Sequence, residues 1–176
     1  MAFTEEEKNQ AKLLVMEDDE GLSCLMKAIT RQSFGCLKLL LERFINTRPS
    51  FANYNIKPLG GLEAKNETNL FHVAAEFVNQ KEIIDYLLEH CPSKEEIVNK
   101  EDRNGVTPLL VACQTRNVIT INRLVEERDV KIDHIDKHGN SPINYVAKSG
   151  CAEILTLFLK RGMSVVICIY VELYRE

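Results

Sequence analysis

Four stretches of this chain repeat one pattern, and self-similarity of that kind limits the possible folds more than any bulk property does. They are GLSCLMKAITRQSFGCLKLLLE from Gly21, NLFHVAAEFVNQKEIIDYLLEH from Asn69, GVTPLLVACQTRNVITINRLVEE from Gly105 and GNSPINYVAKSGCAEILTLFLKRG from Gly139. Each opens on a Ser, Thr or Asn and reaches an apolar residue two positions on. A small-residue pair follows (Ala28-Ile29, Ala74-Ala75, Ala112-Cys113, Val146-Ala147), and then a leucine-rich triplet (Leu39-Leu40-Leu41, Tyr86-Leu87-Leu88, Arg123-Leu124-Val125, Leu157-Phe158-Leu159). The second copy carries one extra residue near Val78.

The physical reading is a pair of short helices per copy. Ser23, Asn69, Thr107 and Ser141 are N-cap types whose side chains accept bonds from the first free helical amides. Pro108 and Pro142 fall at the first helical position, where a missing N–H costs nothing. The small pair lets a neighbouring helix approach closely, and the triplet gives the second helix an apolar stripe. One such pair cannot bury its own apolar face, so the copies must stack into a continuous core. The expected fold is all-α, a solenoid of helix-turn-helix units joined by hairpin tips.

Thr107-Pro108-Leu109 and Ser141-Pro142-Ile143 resemble the T-P-L turn of the ankyrin-repeat family, with Asn69-Leu70-Phe71 and Ser23-Cys24-Leu25 as degenerate versions. His72 stands at the motif's usual histidine position, where Met26, Leu110 and Asn144 replace it in the other copies. The resemblance covers about residues 18 to 165 and implies a module that holds another protein. It places repeats near 18–50, 64–101, 102–135 and 136–165.

Spacing shows where the array is irregular. Leu109 to Ile143 is 34 residues, Phe71 to Leu109 is 38 and Leu25 to Phe71 is 46, against a family period of about 33. The last excess points to an inserted loop near 47–63, with two prolines and paired glycines. It is either a functional loop or drift in a tolerated connection. Residues 1–17 read as a capping helix, with Thr4 and Glu7 as a capping box. Residues 166–176 form an atypical tail. The apolar run Val165 to Val171 either packs on the last helix pair or marks a piece of a longer array. The want of a polar-faced final cap favours the second reading.

Composition narrows the function. The net charge of −4 and pI near 5.7 lack the basic footprint of a nucleic-acid binder. No apolar run is long enough to span a bilayer, and the polar start MAFTEEEKNQ is unlike a secretory signal. A cytoplasmic location is expected, as a free protein or as the cytosolic part of a membrane protein, with the nucleus still open. The six cysteines, at 24, 36, 91, 113, 151 and 168, form no CxxC pair, and reduced, largely buried thiols are expected. Cys113 takes a core position and Cys151 follows the Gly150 turn. His134 and His138 have the spacing of a helical metal pair but lie around a hairpin tip, without the two further ligands zinc needs. No phosphate-loop, dinucleotide, serine-hydrolase or zinc-protease motif occurs. The reading is therefore not an enzyme, with no catalytic residue, cofactor or metal.

The family resemblance implies a concave face built from the tips and the first helices. Matching the copies puts Asp19, Glu20 and Leu22, then Arg103, Asn104 and Val106, then Lys137, His138 and Asn140 on the tips. It puts Thr30 and Arg31, Glu76 and Phe77, Gln114 and Thr115, and Lys148 and Ser149 on the helices. The partner-binding candidates among them are Arg31, Glu76, Phe77, Arg103, Asn104, Val106, Gln114, Thr115, Lys137, His138, Asn140 and Lys148. The tip before the second copy does not align uniquely, because the expected glycine is missing near Glu67. Phe77 faces solvent as an aromatic anchor or is turned into the core by the inserted residue. Asp19, Glu20 and Glu76 make one end acidic, while Arg103, Lys137 and Lys148 make the other basic. That is a polarity able to orient a partner, or an ordinary mixed surface. The partner is another protein, met by a free-standing adaptor such as an inhibitor-of-NF-kappa-B-like protein or by the cytosolic array of a larger one. A transient-receptor-potential-type cation channel is an example of the latter.

Overall fold

The computed structural model describes residues 16–19, 21–53, 67–77, 79–91 and 94–163. The expected capping helix, most of the inserted segment and the tail fall outside them. Among the described residues every element is helical: α1 (Cys24–Thr30), α2 (Phe34–Asn53), α3 (Leu70–Phe77), α4 (Lys81–His90), α5 (Lys94–Ile97), α6 (Pro108–Thr115), α7 (Val118–Glu126), α8 (Pro142–Ser149) and α9 (Ala152–Lys160).

Caps decide where the first helices start. Ser23 Oγ accepts the amide of Met26 at 3.3 Å, and Thr107 Oγ1 accepts that of Leu110 at 3.5 Å. Asn69 Oδ1 accepts the amides of Phe71 and His72 at 2.9 and 3.2 Å. Ser141 departs from expectation. Its hydroxyl donates to the side-chain Oδ1 of Asn144 and makes no bond to a helix amide. Pro142 and Pro108 sit in the first turn as expected.

The first helices α1, α3, α6 and α8 stack in chain order, and so do the second helices α2, α4, α7 and α9. Small residues permit the close approach of the first row: Ala28, Ala74, Ala75, Ala112 and Cys113 are all buried. Ala147, at the same register in α8, is exposed, because no described helix follows to cover it. Phe71 and Phe158 are fully buried, each contributing roughly 3 kcal/mol of apolar transfer. The outer row is laced by Asp85, whose carboxylate takes Lys81 Nζ at 2.6 Å and Arg123 from the next unit.

Helix α2 continues to Asn53, so residues 47–53, expected as the start of a loop, are helical. Extension of a nucleated helix adds one bond per residue, although a proline at position 49 removes one amide donor and crowds the carbonyl four residues back.

Candidate functional site

The tips are built on one device used three times. Asp18, Asp102 and Asp136 each lie five residues before the capping residue of the first helix. Each carboxylate accepts backbone amides across its turn: Leu22 N–H to Asp18 at 2.8 Å, Asn104 and Val106 N–H to Asp102 at 2.8 Å, His138 and Asn140 N–H to Asp136 at 2.9 Å. Gly21, Gly105 and Gly139 complete the turns with φ of 78, 74 and 78°, the left-handed region where a Cβ is costly. Asp136 also accepts the hydroxyl of Tyr145 at 2.7 Å. Burial pushes its carboxyl up, but the bonds from Tyr145, Asn140 and His138 outweigh that and hold it below the usual carboxylate range.

The glycine missing from the second tip is replaced by Glu67, which takes the left-handed conformation itself at φ 64°. No sequence rule singles out a glutamate for that role. Its carboxylate reaches the next tip, with Oε1 3.3 Å from Arg103 Nε. The tips are joined further along: Lys137 N–H donates to Asn104 O at 3.1 Å, and Lys137 Nζ to Arg103 O at 2.8 Å. His72 Nε2 donates to Val106 O at 2.9 Å while Nδ1 accepts the Asn69 amide at 3.2 Å. His134 Nε2 donates in the same way to Gly105 O at 2.9 Å, so that ring is spent on holding a tip.

Ten of the twelve candidate residues are exposed: Arg31, Glu76, Phe77, Arg103, Asn104, Gln114, Thr115, Lys137, His138 and Lys148. Phe77 keeps 42 % of its surface in water, which decides its orientation against the core alternative. Asn140 is half-buried. Val106 is a correction. It is 6 % exposed, because alternation along the turn sends its side chain inward as its carbonyl meets His72. Glu20 lies outside the described residues.

The expected sign change along the face is altered by pairing. Arg103 is matched by Glu67, and Lys27 by Asp18, the latter pair lining a recess of about 390 Å³ with Asp19, Leu22, Thr30 and Arg31. The side chains of Arg31, Arg116 and Lys148 make no hydrogen bond or ion pair among the described residues. Arg116 was not among the candidates. Its left-handed φ of 59°, at the place where the fourth unit has Gly150, is the signal that the sequence hides. Burial pushes the Cys91 thiol up to about 12 and Cys113 higher still, the opposite of what activates a nucleophile.

Helix pairs at this period, with D-x-x-G tips, are what a family model described as ankyrin repeats in three copies matches over residues 71–167, more than half of the chain. The chain belongs to the ankyrin-repeat family. Ankyrin repeats are protein-interaction modules. A curated relative is the human transient receptor potential cation channel subfamily A member 1, 33 % identical over 91 residues. That match covers 52 % of this chain and 8 % of the channel, so the chain spans a small part of that relative's length. No described helix is long and apolar enough to cross a membrane.

Proposed function

We propose that this ankyrin stack binds a partner protein across the face formed by its tips and first-helix ends. The observation that carries the reading is Phe77. It is an exposed aromatic ring at the end of α3, beside exposed Glu76 and the exposed Gln114 and Thr115 of α6. An aromatic held in water on a fixed backbone is the kind of side chain that dominates binding energy at protein interfaces. Hydrogen bonds from Thr115 Oγ1 and Asn117 Nδ2 to Ala75 O, at 3.2 and 3.0 Å, support that end of α3. They cut the ordering cost of binding.

The test is affinity purification from cell extract with the wild-type chain and a Phe77→Ala/Lys148→Glu variant as baits. Loss of the specific partner from the variant, with its helical circular dichroism intact, is the expected result. Equal recovery by both baits would count against this face.

The likeness to a stretch of a cation channel favours a second setting for the same activity, in which the stack is the cytosolic part of a larger protein. Sequencing the transcript beyond Glu176 tests it. Further repeats or a membrane span are expected on this reading, and an in-frame stop at that point would overturn it.

A further inference from the structure

The first-helix ends carry an uneven distribution of charge. The seventh to ninth positions after the capping residue are Thr30-Arg31-Gln32, Glu76-Phe77-Val78, Gln114-Thr115-Arg116 and Lys148-Ser149-Gly150. The second unit offers an acid and an exposed ring. The charged residues of the third and fourth units at these positions are both cations, Arg116 and Lys148, and neither has a partner among the described residues. The carbonyl ends of four stacked helices would by themselves repel an anion, and these cations reverse that sign on one half of the face. Arg116 does so from a left-handed backbone that a glycine would adopt without strain, as Gly150 does in the next unit. Strain kept at an exposed cation with no partner among the described residues points to a use for the side chain.

We propose that the partner presents an extended acidic segment, with an apolar residue seated on Phe77 and carboxylates on Arg116 and Lys148. This rests on the reading of the face as the binding surface and adds the chemistry of what it takes. Adjacent helices lie about 10 Å apart, and an extended chain rises about 3.3 Å per residue. Stepping from Phe77 to Arg116 and on to Lys148 therefore takes about three residues each. The ligand pattern is an apolar residue with acids about three and six positions away. Glu76 sets the polarity, since it repels a carboxylate placed beside Phe77 and leaves the acids to the third and fourth units. An acidic segment is recognised despite the chain's own net charge of −4, because over these distances local charges outweigh those beyond a screening length of about 8 Å.

The test is selection of random ten-residue peptides displayed on phage against the full 176-residue chain, followed by anisotropy titration of the selected peptides. Wild type is compared with Phe77→Ala and with Arg116→Gln/Lys148→Gln. Glutamine is accepted in the left-handed turn, since Gln32 occupies it in the first unit at φ 52°. Selected peptides should be acidic with the apolar-acid-acid spacing, should lose affinity to Phe77→Ala, and should weaken about fourfold to twentyfold on the double substitution. They should also weaken with added salt. Neutral or basic selected peptides that still depend on Phe77 would overturn the acidic ligand while leaving the binding face in place. Peptides indifferent to both variants, or no enrichment at all, would overturn the face and the ligand together. Displacement of the acidic peptides by an equal charge of single-stranded oligonucleotide at lower concentration would also overturn the proposal, by showing that bare anionic charge is what the cations recognise.

Discussion

His72 Nε2 lies 2.9 Å from the backbone carbonyl of Val106, thirty-four residues away in the next tip. Both groups are buried, and the Asn69 amide on Nδ1 leaves Nε2 as the protonated nitrogen. The bond makes a side chain of one unit the support of the turn that opens the following one. It also accounts for the burial of Val106.

Truncating this histidine leaves the Val106 carbonyl buried without its donor. His72→Ala is expected to lower the unfolding free energy by about 1–3 kcal/mol, read as a shift in urea midpoint. An unchanged midpoint would show that the bond contributes nothing.

Two left-handed glycines, Gly105 in a tip and Gly150 at the end of α8, differ in what surrounds them. Gly105 has φ 74°, and a Cβ there would lie 3.1 Å from Lys137 Cγ and 3.2 Å from its backbone N. Gly150 has φ 72° with nothing within 4 Å. Gly150→Ala should cost about 1 kcal/mol, the left-handed penalty less the unfolded-chain freedom that alanine removes, and Gly105→Ala distinctly more. Equal costs in thermal melts would mean that the tip shifts freely to accept a methyl group.

Arg116 is strained where Gly150 is not. Arg116→Gly should raise stability by about 1 kcal/mol, from relief of the left-handed backbone less the added freedom of the unfolded chain. The same substitution should weaken acidic-peptide binding. Opposite changes in melting temperature and affinity are the expected pair.

Asp136 gives a pH dependence of known sign. Its carboxyl lies below the usual range when folded, so its contribution is complete above the unfolded value near ~3.9. That contribution is lost as pH falls through the folded value. Asp136→Asn should therefore melt below the wild type at pH 7, and the gap should narrow in acid. A gap that is constant with pH would assign the effect to shape alone.

Cysteine reactivity should divide by burial. Cys36 is exposed, whereas Cys91 and Cys113 are buried with thiols pushed far above neutrality. At pH 8 a thiol reagent should modify Cys36 at once, and Cys91 and Cys113 only as the chain unfolds. Mass spectrometry of timed aliquots reads the order.

Much of the architecture was legible before any coordinates. Thr107-Pro108 and the caps Ser23 and Asn69 start helices where local chemistry says they should. Capping, period and small-residue spacing act over a few neighbouring residues, and those interactions are written in the order of the chain. Ser141 shows the limit even locally, since a competing acceptor at Asn144 takes its hydroxyl.

The face itself was legible only in outline. Position in the repeat placed Gln114 and Lys148 in water, but left Phe77 open between solvent and core, a choice its exposure decides. It could not show that Glu67 would stand in for a glycine and neutralise Arg103, or that Val106 would turn inward beneath His72. Nor did it mark Arg116 as a cation on a left-handed turn, without a partner among the described residues. Sequence determined the repeating helix pair, because capping and helical periodicity depend on near neighbours. Tertiary structure decided which charges remain open to a partner, because pairing between tips joins residues about one repeat apart, at distances that stacking alone sets.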